Sequence, residues 1–409
     1  MNQTEALSSQ ENERIPELDG LRGFAILSVV LLHYFYAPRA LAPPAFQYFQ
    51  NIFRLGWVGV DLFFVLSGFL IGGILLRARA ATNYYRVFYA RRFFRIIPIY
   101  YLWVAAYILI IVLLGDFIRR HTNSGVAAPL GFGIYQHFFF LQNIHIPPQI
   151  GLSLWWFGAL WSLAVEEQFY LLSPLLVRRL SERTLFWVLL AIFCAAPILR
   201  TYFYLTQHPL AWRAVASTPC RADSLALGML AAILWRRPAF RAWLALHRRL
   251  FLALWGFFLL GMAALWYRGS NPYHPATLTI GFSWIAVFFF LTLLLTLGDS
   301  RGLFARCARW RWLRELGRVS YCVYVIHLAV LYVAFGAVLR IVPQIRDFRC
   351  IALSLFCAVV TFLVARLSWS FLEHPLLRVG HRAQYQFAPE PPAQHPSIPL
   401  KPRAPIPLS

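Results

Sequence analysis

Apolar residues in this chain gather into long runs separated by charged connections. Runs of the roughly 20 residues that a helix needs to cross a bilayer fall near positions 20–38, 56–76, 98–118, 158–177, 184–203, 220–235, 250–267, 276–297, 319–339 and 350–372. The pattern predicts an all-α polytopic membrane helix bundle of about ten transmembrane helices. The first run follows Glu5, Glu11, Glu13, Glu17 and Asp19 and lacks a small-residue cleavage site, so it is expected to be a retained span. The longest outer connection, about 119–157, contains "FFFLQN" and "IPPQIGLSLWW", which suit a re-entrant or interfacial segment. Past Pro375 the chain turns Pro-rich. The expected division is a cytoplasmic tail over 1–14, a membrane domain over 15–378 and a disordered cytoplasmic tail over 379–409. No internal repeat is evident, which counts against inverted-repeat transporter folds.

Composition agrees with this reading, being 60% hydrophobic and 13% charged. The net charge of +22 is almost wholly arginine, with Lys401 the only lysine. A basic chain can signal a nucleic-acid partner, but these arginines cluster in alternate connections: 77–95, 178–183, 236–249 and 301–318. That distribution suits membrane topology and no nucleic acid, and by the positive-inside rule both termini are expected in the cytoplasm. The six cysteines form no CxxC pair, so neither a metal site nor a disulfide framework is indicated.

Within the apolar runs stand polar groups that lipid would not tolerate. Arg22 and His33 are eleven residues apart, which returns to nearly the same helical direction. His33 then lies roughly 16 Å further in than Arg22, near the bilayer middle. It is either a satisfied core histidine or a general base. Asp19 can pair with Arg22 at the cytoplasmic edge. In the second span Asp61 is either a partner to a cation or a site group, while Ser67, Gly68, Gly72 and Gly73 form a small-residue packing face. Arg91, Arg92 and Arg95 precede the third span, Arg91 and Arg95 sharing a face, with Pro98 fitting a first helical turn. They serve either topology or phosphate binding through guanidinium forks. Ser162, Glu166 and Tyr170 line one face of the fourth span, and Glu167 is rotated away from it. Arg221 and Asp223 open the sixth span, Ser320, Tyr324 and His327 share a stripe of the ninth, and Glu373 ends the last. Arg221, Asp223 and Glu373 read best as inter-helix pairing groups, and the whole set describes a polar interior.

The stretches "ELDGLRGFAILSVVLLHY", "GVDLFFVLSGFLIGG", "RRFFRIIPIYYL", "LWSLAVEEQFYLLSPLL", "RADSLALGMLAA", "GRVSYCVYVIH" and "EHPLL" span about 15–378. In that order they resemble the acyltransferase 3 membrane proteins, bacterial O-acyltransferases of polysaccharides, lipopolysaccharide, other glycans and some natural products. The resemblance implies residence in the bacterial inner membrane. It also implies acetyl-CoA or another acyl-CoA as a donor substrate entering from the cytoplasm, with no permanently bound cofactor. His33 and Glu166 match the family's catalytic positions and Arg22, Arg91, Arg92 and Arg95 its donor-binding ones, with Asp19, Asp61, Ser162, Tyr170, Arg221, Asp223, Tyr324, His327 and Glu373 as supporting polar groups. The chain resembles a stand-alone form without a C-terminal hydrolase-like domain. The acceptor would be a hydroxyl of a saccharide or lipid-linked saccharide. A secondary transporter or flippase is the competing expectation, because polar groups on several helices can also form a translocation path.

Overall fold

The computed structural model describes residues 15–36, 44–121, 134–144, 157–206, 212–268 and 271–388. In chain order the helices are α1 (Pro16–Phe35), α2 (Pro44–Phe53), α3 (Gly59–Ala78), α4 (Tyr84–His121), α5 (Ile134–Phe138), α6 (Trp161–Arg179), α7 (Glu182–Thr206), α8 (Trp212–Ala216), α9 (Thr218–Trp235), α10 (Pro238–Leu246), α11 (Arg248–Tyr267), α12 (Phe282–Gly298), α13 (Leu303–Ala308), α14 (Arg311–Arg318), α15 (Ser320–Ala334), α16 (Phe348–Ser368) and α17 (His374–His381). No strand occurs among the described residues. The fold is that of an all-α, multi-pass membrane protein: among the described residues eight helices are long and apolar enough to cross a bilayer. The fourth and sixth expected spans form as α6 and α9 but are not among the eight, because they carry Glu166 and Glu167, and Arg221 and Asp223. α9 lies inside the bundle, where from Cys220 to Ile233 only Ala222 is not buried, while α6 buries Ser162–Val165 and leaves Leu171, Leu172 and Leu175 exposed.

The arginine-rich connections meet at one end of the bundle. Arg178 donates to the Ala81 carbonyl (3.3 Å), Arg237 pairs with Glu182 (2.9 Å), Arg248 with Asp299 (2.7 Å), and Arg309 Nε with Glu17 (2.7 Å). We call this the basic end. At the other end Trp266 donates to the Asn51 carbonyl (2.8 Å) and Gln50 to the Ile345 carbonyl (3.2 Å). The alternation of charge along the sequence therefore reports a real two-sidedness of the fold.

The third span departs from expectation. α4 begins at Tyr84 and runs through Arg91, Arg92 and Arg95, so Pro98 lies inside the helix rather than in its first turn. Aromatic anchors explain this: Tyr84 and Phe88 are buried, and Tyr84 and Tyr89 donate to carbonyls of α6, Pro174 (3.2 Å) and Leu171 (2.8 Å). Proline here gives up one backbone hydrogen bond, toward Phe94. The C-terminal boundary also shifts. α17 runs to His381, and residues 383–386 lie against the start of α4, where Asn83 holds both Gln384 (2.9 Å) and Gln386 (3.0 Å). The expected tail from 379 thus begins as part of the folded body, and residues 389–409 lie outside the described residues.

Helices α3 and α9 pack backbone against backbone. A Cβ on Gly68 would stand 2.1 Å from the Leu225 carbonyl oxygen, and one on Gly228 would stand 2.1 Å from that of Val65. Gly72 faces Met229 and Ala232 on the same helix. Ser67, about 100° around, points instead to α6, so the small-residue face divides between two neighbours. Gly228→Ala should lower stability by at least about 1–3 kcal/mol, since neither backbone can yield without separating the helices. Thermal unfolding of the purified variant, followed by size-exclusion chromatography, checks this; an unchanged midpoint would contradict the packing.

Candidate functional site

Near the basic end a cavity of about 80 Å³ opens between α1, α3, α4, α6 and α15. Arg22, Arg92 and Arg95 line it together with Glu166, and Ser67, Ser162, Tyr170 and Tyr324 add hydroxyls among apolar walls such as Phe63 and Ile96. The i,i+4 spacing on α6 brings Ser162, Glu166 and Tyr170 to one side, as the sequence predicts. Ser67 (2.9 Å) and Tyr170 (3.0 Å) both donate to the Glu166 carboxylate. The Tyr324 hydroxyl donates to the Ala159 carbonyl (2.8 Å) and meets Ser162. Asp19 lies 4.0 Å from Arg22, the pairing expected from their i,i+3 spacing.

His33 does not line this cavity. It stands one layer beyond, on the α1 turns past Arg22, with its Nδ1 3.1 Å from Nε2 of His327 on α15. Tyr324 connects the layers: it lines the cavity, and its ring centroid is 5.8 Å from that of His327. His327 is 0% exposed, and its Nδ1 lies 2.8 Å from the Tyr324 carbonyl and 3.2 Å from that of Val323. A carbonyl only accepts, so this nitrogen carries the proton. With both rings neutral, Nε2 of His327 must accept, and Nδ1 of His33 must donate to it. The lone pair of His33 is thereby left on Nε2. Tyr34 braces the pair, donating to the His327 carbonyl (2.9 Å) and meeting Thr361 (2.8 Å).

Asp61, Arg221 and Asp223 belong to a separate, closed arrangement outside the cavity lining. Arg221 pairs with Asp61 at 2.7 Å, and Ser224 adds a hydrogen bond to the same carboxylate (3.0 Å). The other nitrogens of Arg221 have no hydrogen-bond partner but face aromatic rings: its guanidinium carbon is 3.9 Å from the Phe282 centroid and 5.5 Å from that of Phe64. Asp223 pairs with Arg200 of α7 (2.9 Å), which also donates to Ser283 (2.6 Å) and the Leu278 carbonyl (2.7 Å). The pairing alternative therefore applies to these residues. Glu373 also stays out of the lining, buried and bonded by Ser368 (3.3 Å).

One further expectation changes. Arg91 does not share the cavity with Arg95; Arg92 does, and Arg91 turns to the C-terminal segment, donating to the Ala383 carbonyl (2.9 Å). Helix α4 starts early enough that its packing against both α6 and that segment, rather than i,i+4 spacing alone, sets which arginine faces inward. The "FFFLQN" part of the long connection does fold inward: Gln142 donates to the Leu160 carbonyl (2.9 Å), Asn143 to Thr218 (2.9 Å), and Gln168 to Phe140 O (2.8 Å). Phe140 holds a left-handed φ of 52°, uncommon for a bulky residue, against Tyr100 at 4.6 Å between ring centroids. The "IPPQIGLSLWW" part lies outside the described residues.

A family model described as an acyltransferase domain matches residues 15–372. The chain belongs to that family, acyltransferase 3. Among its relatives is a putative peptidoglycan O-acetyltransferase, YrhL of Bacillus subtilis, 29% identical and aligned over 92% of this chain and 57% of the relative. Peptidoglycan O-acetyltransferase OatA of Listeria monocytogenes is 24% identical (90% and 56%), and O-acetyltransferase OatA of Staphylococcus aureus 26% (92% and 59%). The chain spans between half and two thirds of the length of these curated relatives. No solved structure matches it.

Sequence reasoning missed four residues. Ser67 was assigned to packing, although its 100° offset from Gly68 was readable. Arg200 stood as an ionisable residue inside an apolar run, the ordinary signal of an interior role. His381 and Tyr385, which line an adjoining cavity with Arg91 and Arg92, lie past the last apolar run and carried no signal. Asp61→Ala should destabilise the protein by about 3–5 kcal/mol, because it strands a buried guanidinium. Replacing the pair with Asp61→Leu and Arg221→Met should restore most of the unfolding midpoint; failure to do so would give the pair a function beyond closure.

Proposed function

We propose that the chain is a membrane O-acyltransferase that moves an acyl group, acetyl in the simplest case, from acyl-CoA to a hydroxyl of a cell-wall saccharide. The supporting observation is the contact of His33 with His327, 3.1 Å between Nδ1 and Nε2, one layer past a cavity walled by three arginines, in a chain of the acyltransferase 3 family. The names of the peptidoglycan O-acetylating relatives support a saccharide acceptor. The basic end is assigned to the cytoplasm of a bacterial inner membrane by the positive-inside rule, which puts both termini on that side.

The donor enters at the basic end, where Arg22, Arg92 and Arg95 counter its charge and Glu166 accepts from amide N–H groups of its arm. This gives Glu166 a positioning role beside the reacting atoms. The thioester carbonyl then reaches the Tyr324 layer. His33 Nε2 takes the proton of the acceptor hydroxyl as its oxygen attacks the carbonyl carbon; the C–S bond breaks, and the imidazolium returns the proton to the leaving thiolate. His327 keeps that lone pair at Nε2 by accepting from Nδ1.

Acyl transfer from labelled acetyl-CoA in isolated membranes tests the reading. His33→Ala should lower turnover by about 10²-fold or more, and His327→Leu should also lower it. His327→Gln should keep part of the activity, since an amide oxygen can still accept from Nδ1. Arg95→Gln should raise the acetyl-CoA KM about tenfold with kcat little changed. A correctly inserted His33→Ala protein with full activity would sink the mechanism, and acceptor movement without release of free thiol would favour the transporter.

A further inference from the structure

We infer that an open groove at the basic end, between α14 and α16, holds the phosphodiester headgroup of an anionic membrane phospholipid. The inference concerns neither donor nor acceptor, and it stands or falls apart from the acyl-transfer reading. The groove measures about 520 Å³, against about 80 Å³ for the cavity that holds Glu166. Arg311, Arg318 and Arg366 line it with one carboxylate, Glu315, while Phe362 and Trp369 supply apolar walls.

The polar side is preorganised. Glu315 accepts from Arg318 through one oxygen (2.5 Å) and from Arg366 through the other (2.6 Å), so one carboxylate fixes two guanidiniums on different helices. It has about four lone-pair sites, whereas two guanidiniums carry about ten N–H donors, and most of these remain for another acceptor. Three arginines against one glutamate leave the lining with an excess of positive charge. Arg311 and Arg318, seven residues apart, share a face of α14. That helix is pressed onto α1: a Cβ on Gly23 would collide with the Leu313 carbonyl, and one on Gly317 with that of Asp19. The two arginines are thus presented from a fixed platform.

Guanidinium forks suit phosphate oxygens, and the apolar side identifies the phosphate as a lipid's. Phe356, Val359, Leu363 and Leu367 recur on one face of α16 and are all exposed, as side chains that meet hydrocarbon are. This stripe runs toward the basic end and adjoins the groove at Phe362 and Arg366. Trp369 stands in the lining, and Trp310 and Trp312, both exposed, mark the start of α14. Tryptophan belongs at the headgroup level of a bilayer. A π-helical turn over Trp369–Glu373 keeps Trp369 in the groove wall while Glu373 stays buried. Acyl chains laid along the stripe therefore bring their phosphate to the arginines, as in other basic pockets on the cytoplasmic side of membrane helices. A choline headgroup would set its own ammonium against three guanidiniums, so the occupant is a lipid of net negative charge.

Native mass spectrometry of the full-length protein in detergent micelles tests this, with phosphatidylglycerol and phosphatidylcholine of identical chains, glycerol phosphate and coenzyme A as probes. Wild type should bind phosphatidylglycerol at least about tenfold more tightly than phosphatidylcholine. Arg311→Gln and Arg366→Gln should each weaken phosphatidylglycerol about fivefold and leave phosphatidylcholine unchanged. Arg249→Gln, at an exposed arginine of α11 outside the groove, should change neither. Equal losses in all three variants would reduce the preference to general surface charge and overturn the inference, as would a wild type without any preference. Glycerol phosphate bound as tightly as the lipid would make the groove a site for a soluble phosphate. A loss confined to coenzyme A would make it part of the donor's path, and either result removes the lipid as occupant. Thermal unfolding of each variant shows that its fold is intact, and Arg311→Gln, at an exposed side chain, carries the test should Arg366→Gln not fold.

Discussion

Asp61 and Arg221 meet 2.7 Å apart with side chains 0% and 1% exposed, and the interior is organised around that contact. Neither charge can face hydrocarbon, so α3 and α9 have to be neighbours at one register. Arg200 and Asp223 extend the constraint to α7, and Ser283 carries it to α12. Pairs of this kind contribute little net stability compared with apolar packing, but a mispaired arrangement would leave a bare charge in the core. They act as keys that allow one helix order. Once these charges are closed on one another, those of α1, α4 and α6 are the ones left around open space.

That open set is layered along the bundle. Arginines and a carboxylate occupy the level nearest the basic end, hydroxyls follow at Ser162 and Tyr324, and the two imidazoles come last. Charge falls as depth increases, which is the order in which desolvation is least costly. The histidine pair needs no acid to orient it, because backbone carbonyls of α15 do so. Such a pair presents a basic nitrogen deep in the protein without burying a permanent charge beside it.

Much of this was legible in the residues. The runs gave the helices, the arginine spacing gave the two ends, and the motif spacing on α6 gave Ser162, Glu166 and Tyr170 as one face. Limits appeared wherever a partner helix decides the outcome. Periodicity says that Arg91 and Arg95 align, yet contacts from α6 and the C-terminal segment turn Arg92 inward instead. The Arg22 and His33 alignment was correct as geometry on one helix, but it could not reveal that Tyr324 ends the cavity between them. Pro98 misled for a related reason: aromatic anchoring to α6 outweighs the loss of one backbone bond. Residues after 379 had no apolar pattern to read, because backbone hydrogen bonds to Asn83 and Arg91, not burial of a hydrophobic face, hold them.

The glycine contact between α3 and α9 carries a mechanical consequence. Backbones pressed together at Gly68 and Gly228 and keyed by an ion pair cannot slide past one another without breaking both, so these two helices form a stator. Any widening that admits a substrate must come from elements hinged against that fixed block. α4 is the suited one: it enters through a proline-interrupted helix, carries Arg92 and Arg95, and its first turns are tied to the short segment after α17. A tilt of α4 about Pro98 would open the cavity that holds Glu166 while leaving Ser67 and the α3 wall in place.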